Sequence, residues 1–183
     1  MKPNKKVSNA QSGRTSARSG SSFEKEIEQT NLFYIRQGVA AVIKIPTGTR
    51  MAGKVNGVPV WEPSHKTGCD FMGVHRGKGI AFEAKSTQNK TSFPLSIYKK
   101  DMVKPHQVRF LNEFQEALGE SFILIRFRVL DRTFKLNIKT YLALTKKAKE
   151  ANKTSLPLKW IESAAVEVER KGYTLDYLNE KNT

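Results

Sequence analysis

The chain has 183 residues, with 32 lysines and arginines against 17 aspartates and glutamates, for a formal charge of +15. That length suits one domain with its own core, and that charge calls for a polyanionic partner. No apolar run nears the roughly 18 to 20 residues of a spanning helix, so nucleic acid is favoured over a membrane, and the single Cys69 excludes an intrachain disulfide framework and a cysteine-rich zinc site.

Residues 1–21 carry Lys2, Lys5, Lys6, Arg14 and Arg18 among Ser, Gly, Asn and Gln, and read as a flexible basic tail, either a terminus with no specific role or, the favoured reading, an arm that adds phosphate contacts. They lack the apolar block of a secretory signal, so a cytoplasmic protein is expected. A single domain over 22–176 and a short tail at 177–183 complete the expected organisation.

Ser21 followed by Glu24 has the spacing of a capping box. A helix is predicted from there to Gly38, with Phe23, Ile27, Leu32, Tyr34 and Ile35 as its apolar residues. Val39 to Ile45 is β-branched and ends at Pro46, which predicts a strand. Residues 46–67 hold three glycines, Trp61, Arg50, Lys54 and Lys66 around Val55-Asn56-Gly57-Val58, and predict a protruding basic hairpin.

Residues 69–85 predict a second hairpin. With Arg76 and Gly77 as a two-residue turn, His75 faces Lys78 and, by the same register, Asp70 faces Glu83. Opposed residues of an antiparallel pair have Cβ atoms roughly 4.5 to 5.5 Å apart, where like charges repel. Alternation puts Glu83 and Lys85 on one face and Ile80, Phe82 and Ala84 on the other. Two carboxylates and one ammonium thus converge, a set suited to a hard divalent ion that keeps water and phosphate as further ligands. The competing reading is a surface ladder in which Lys85 neutralises two solvated acids. The basic setting, with Arg76, Lys78 and Lys90 nearby in sequence, favours the metal.

After a polar linker, Pro105 opens a helix with Val108, Leu111, Phe114, Ala117 and Leu118 on one face before Gly119. Gln107 in its first turn reads as solvent-facing from the pattern alone. Ser121 to Val129 predicts a strand and Phe134 to Ile138 its partner. Helices are predicted at 139–151 and 160–171. The order gives an α/β (α+β) mixed sheet flanked by helices. His65, His75 and His106 are too scattered for a histidine metal site, and Phe110, Phe114, Phe122 and Phe127 belong to periodic core faces.

Asp70 with Glu83-Ala84-Lys85 matches the PD-(D/E)xK nuclease motif. The string Phe82-Glu83-Ala84-Lys85, followed by Asn89-Lys90-Thr91-Ser92-Phe93-Pro94-Leu95, resembles the RecU-type Holliday junction resolvases. Phe23-Glu24-Lys25-Glu26 with Thr30-Asn31, Pro46-Thr47, His106-Gln107 and Ile125-Arg126-Phe127 extend the resemblance over residues 22–140. Cys69 departs from it, standing where a small hydroxyl residue is expected, and the protruding segment is short.

The resemblance implies a restriction-endonuclease-like core and a homodimer that cuts four-way DNA junctions with Mg²⁺, Mn²⁺ being a substitute. It makes Asp70 and Glu83 the metal ligands and puts Lys85 at the scissile phosphate. It also brings Glu24 towards the metal from the first helix and lets Gln107 position water. Arg50, Lys54, Lys66, Arg76, Lys78 and Lys90 are the candidate phosphate contacts, which fix register without reading bases. The rival expectations are a restriction or repair nuclease of the same fold and a non-catalytic basic nucleic-acid-binding module.

Overall fold

A computed structural model describes residues 9–46, 48–63, 68–172 and 174–178, the side chains of 9–21, 50, 62 and 63 excepted. Its framework is a six-stranded sheet flanked by helices, with a separate two-stranded hairpin standing off it. The expected mixed α/β architecture is what the chain adopts.

Helix α1 runs Asn9–Arg36, so Ser21 lies inside the helix and its spacing to Glu24 does not mark the start. The part of the expected tail from Asn9 onward is helical backbone; Lys2, Lys5 and Lys6 lie outside the described residues. The buried face of α1 is Phe23, Ile27, Thr30, Asn31 and Tyr34, while Leu32, Phe33 and Ile35 are exposed. Thr30 and Asn31 displace the expected apolar residues because both have partners near the far end of the chain. The Thr30 hydroxyl accepts from Leu175 N at 3.1 Å, and the Tyr177 hydroxyl donates to Asn31 Oδ1.

Strand β1 (Ala40–Lys44) forms one edge of the sheet. β2 (Thr49–Val55) and β3 (Val58–Pro63) pair with each other through the expected Asn56-Gly57 turn, whose φ angles are 52° and 79°. Met51, Val55, Val58, Val60 and Trp61 are all exposed on this hairpin. β4 (Phe71–His75) and β5 (Lys78–Thr87) follow the expected register from His75 opposite Lys78 to Phe71 opposite Phe82. Gly73 lets β4 press against β1, since a Cβ there would meet Ala41 O at 2.1 Å.

The linker expected after β5 contains three short strands, β6 (Ser92–Pro94), β7 (Ser96–Ile97) and β8 (Lys100–Asp101). Helix α2 (Pro105–Glu116) then leads to β9 (Glu120–Phe127), which pairs parallel with β5. Leu118 is 85% exposed with φ 67° and follows Ala117, the exposed C-cap of α2, so neither joins the apolar face expected of that helix. β10 (Arg132–Asn137) returns antiparallel to β9, and α3 (Ile138–Glu150) follows as expected. β11 (Ser155–Pro157) pairs with β6.

The helix expected at 160–171 is only α4, Leu158–Glu162. Beyond it β12 (Val166–Glu167) completes the outer edge of β10, and Arg132 grips Glu167 with two bonds of 2.7 Å. The free backbone groups of that edge and the Val/Glu alternation both favour a strand there. Gly172, the residue after that expected helix, has φ 64° between β13 (Arg170–Lys171) and β14 (Thr174–Leu175). Tyr177 and Leu178 are buried, so the expected tail at 177–183 begins too early. Tyr177 packs on Phe82 and Phe122, with ring centroids 5.0 and 6.1 Å away.

One sheet thus separates two apolar layers. Phe71, Phe82 and Phe122 stack at 4.9 and 4.7 Å on the α1 side. Ala81, Ile123, Ile125 and Leu111 pack on the α2 and α3 side. β5 lies between β4 and β9, so its odd-numbered residues Ala81, Glu83 and Lys85 enter the second layer or its rim.

Candidate active site

The sheet interior makes Glu83 unusual: it is a carboxylic acid with no exposed surface on an inner strand. Its Oε1 receives the Lys85 ammonium and, at 2.6 Å, the Gln107 amide. Its Oε2 is buried without a hydrogen-bond partner among the described residues. Burial pushes the Glu83 carboxyl up to about 8, with the Asp70 charge adding to the rise and Lys85 opposing it. Burial works against the Lys85 charge too, but Glu83 and Asp70 outweigh it, and the ammonium is held above its usual range. The alternative of a solvated surface ladder fails on Glu83, which meets no solvent.

Asp70 sits one step beyond the β4–β5 ladder. Its Oδ2 accepts from Ala84 N at 3.0 Å, and its carbonyl accepts from Ile45 N at 2.8 Å. These two bonds tie the bend to both neighbouring strands. Cys69 beside it is buried and donates its thiol to Phe71 O at 3.2 Å. Burial, with the charges of Glu83 and Asp70, pushes that thiol up to about 12, so it remains a neutral packing group.

Gln107 is where sequence pattern and structure part. It is buried, its Nε2 holds Glu83, and its Oε1 accepts from Lys104 N at 2.9 Å. Both ends of the amide are therefore used, and its orientation is set by the start of α2. Glu24 faces β1, where Lys44 binds it at 2.9 Å and Glu28 at 3.1 Å. The Glu24 charge also acts on Lys85, so Glu24 stands at the margin of the cluster. Lys44 was not singled out from the sequence. The signal was available, because Lys44 follows Ala40 and Val42 on the alternation that points towards α1.

The candidate phosphate contacts do not form one group. Arg76 occupies the β4–β5 turn and Lys78 starts β5, so Lys78 lies five residues, roughly 16 Å along the strand, from Glu83. They do not frame the acidic pair as their sequence proximity suggested. Lys90 is exposed beyond the other end of β5, on the side of Lys85, and Lys54 is exposed on the protruding hairpin. Arg50 has only its backbone described, and Lys66 lies outside the described residues.

Among the described residues no three His, Cys, Asp or Glu side chains form a ready metal cage. The donor set nevertheless fits an Mg²⁺-type ion, which is often held by one or two carboxylates with water and phosphate as the remainder. The unpartnered Glu83 Oε2 beside Asp70 is the atom such an ion would satisfy.

A mixed sheet whose inner strand presents a buried Glu-x-Lys beside an aspartate defines the class to which this site belongs, that of the Asp…Glu-x-Lys centres. The sequence model described as "RecU: Recombination protein U" matches residues 18–182, and the chain belongs to that family. Its relatives include the Holliday junction resolvases RecU of Staphylococcus aureus strains JH9 and MRSA252. Each is 32% identical over 164 residues, spanning 86% of this chain and 73% of the relative. Among solved structures, the Holliday junction resolvase Hjc of Archaeoglobus fulgidus is similar with a TM-score of 0.40 and 15% identity, over 66% of this chain and 78% of that one.

Proposed function

We propose that this protein is a structure-selective endodeoxyribonuclease that resolves four-way DNA junctions by phosphodiester hydrolysis with Mg²⁺, and acts as a homodimer. The observation that carries the reading is Glu83: a buried carboxylate with one oxygen bound by Lys85 and Gln107, and the other unsatisfied beside Asp70. Lys85 offsets only one of the two carboxylates, and a buried carboxylate oxygen left without a donor is costly unless a further cation joins it. Family membership supplies the substrate class.

Asp70 and Glu83 would hold the ion, which would supply charge stabilisation at the phosphoryl oxygens and lower the pKa of water. Lys85 remains protonated and donates to the scissile phosphate as a point charge. Gln107 fixes the Glu83 carboxylate through Oε1, which leaves Oε2 for the ion. Glu24 adds negative charge at the margin, balanced by Lys44. Lys54 and Lys90 give sequence-independent phosphate contacts. A homodimer matches the two symmetric cuts that resolution requires, and the exposed Leu32, Ile35 and Ile43 on α1 and the edge strand β1 are apolar surface that a second copy would cover.

The test is cleavage of a four-way junction, a matched linear duplex and a single strand, with Mg²⁺ and with EDTA. Junction cutting that needs Mg²⁺ and is abolished by Asp70→Asn, with junction affinity kept, is expected. Equal cutting of duplex and junction would remove the resolvase reading, and full activity in Asp70→Asn would remove the site.

A further inference from the structure

Between β6 and α2 the chain folds into the tight β7–β8 hairpin, which pairs Ser96 with Asp101 and Ile97 with Lys100. Its two turn residues, Tyr98 and Lys99, have φ of 50° and 62°. A turn of that hand favours glycine or asparagine, because a side chain in the left-handed region crowds the backbone. The corresponding turns at Asn56-Gly57 and Arg76-Gly77 each include a glycine. At Tyr98-Lys99 two large side chains occupy both positions.

The fold obtains no packing from them in return. Tyr98 is 84% exposed, Ile97 is 44% exposed, and Lys99 and Lys100 are exposed. Strain retained without internal compensation points to a role outside the fold. The hairpin is also firmly rooted. Met102 N donates to Leu95 O at 2.9 Å, Leu95 N donates to Thr154 O at 3.0 Å, and Val103 is buried. The next residue, Lys104, has its N–H held by Gln107, the residue that orients Glu83. A short, fixed stretch of chain therefore links the Tyr98 turn to the candidate active site.

We propose that the Tyr98–Lys99 turn is a nucleobase-stacking site, in which the phenol ring covers a base face exposed at the branch point while Lys99 and Lys100 hold the adjoining phosphates. An aromatic face flanked by ammonium groups is the combination by which proteins hold unstacked nucleotides. In a continuous duplex each base face is covered by its neighbours, so the site acts only where stacking is interrupted. The inference rests on the nuclease reading for its substrate, but not on cleavage for its test.

The experiment uses a four-way junction with 2-aminopurine at the branch point and a matched duplex, titrated with wild type, Tyr98→Phe, Tyr98→Ala and the double variant Tyr98→Asn/Lys99→Gly. Binding is measured without Mg²⁺ and cutting with it. Wild type and Tyr98→Phe should quench the probe equally. Tyr98→Ala should lose the quench and about tenfold in junction affinity, with duplex affinity nearly unchanged. The double variant should melt at a higher temperature than wild type, because the turn is relaxed, and still lose quench and affinity. Tyr98→Ala or the double variant with wild-type affinity and quench would overturn the proposal. Wild type that binds and quenches but cuts no DNA would instead remove the nuclease reading.

Discussion

Glu83 shows what a single side chain contributes to pH behaviour. Its carboxyl is raised, chiefly by burial, from an ordinary 4.5 to about 8. Between those values the folded, ion-free protein still holds a proton that the unfolded chain has released. Stability must therefore fall as pH rises through that window, the penalty being absent below it and complete above it. In EDTA, the melting temperature of Glu83→Gln relative to wild type should rise between about pH 5.5 and about pH 8.5. Parallel melting curves for the two proteins would show that the site carries no such proton. Excess Mg²⁺ at the higher pH should restore wild type alone, because the amide cannot replace the carboxylate as a ligand. The register that brings Asp70 near Glu83 was readable from the sequence, since turn chemistry and alternation are local rules, although the ladder ends at Phe71 and Asp70 bends beyond it to take Ala84 N. The burial of Gln107 was not, because it depends on where α2 docks against β5.

At the scale of elements, the β2–β3 hairpin and α1 differ in how they are held. The hairpin pairs with itself and exposes Met51, Val55, Val58, Val60 and Trp61. A lone two-stranded ribbon is marginal in water, so its apolar surface serves a bound partner better than it serves the core. Replacing residues 49–63 by a three-residue Gly-Ser linker should shift the melting temperature by less than about 4 °C. The same change should erode the preference for junction over duplex, measured as the ratio of dissociation constants. A large loss of melting temperature would mean that the hairpin belongs to the core. Its Asn56-Gly57 turn announced it in the sequence. The segment after α4 carried a weaker signal, because the Val/Glu alternation at 166–169 is too short to mark a strand by itself and becomes one through the open edge of β10 and the Arg132–Glu167 grip. The exposure of Leu32 and Ile35 was hidden for a related reason, since the hydrogen-bond partners that turn Thr30 and Asn31 inwards follow them by more than a hundred residues.

For the whole molecule the relevant quantity is charge, +15 spread over surfaces of different use. Lys54 and Lys90 lie on the hairpin and beyond the Lys85 end of β5, while Arg76 and Lys78 are at the opposite end of that strand. Removing one phosphate-binding cation should flatten the plot of log affinity against log salt by about 1. Lys90→Ala should do this for a four-way junction without changing the preference among sequences. Arg76→Ala should leave the slope unaltered if the DNA stays on the Lys85 side. An equal effect from both would show that an arm of the junction wraps around the sheet. Composition foretold a polyanionic partner, but not this division of the cations between two ends.

The clasp between α1 and residues 174–178 also bears on how the protein comes to be made. Thr30, Asn31 and Tyr34 meet Leu175, Tyr177, Asp176 and Leu178 across a separation of more than 140 residues. Until synthesis has passed Leu178 and that segment has left the ribosome, the helix that carries Glu24 rests on its packing against β1 and β5 and lacks these hydrogen bonds. Asp70, Glu83 and Lys85, on neighbouring stretches of chain, meet long before. The acidic centre is thus assembled early and closed late, and a nascent chain released short of Tyr177 would carry both the acidic hairpin and the helix but not the clasp that fastens that helix at its margin.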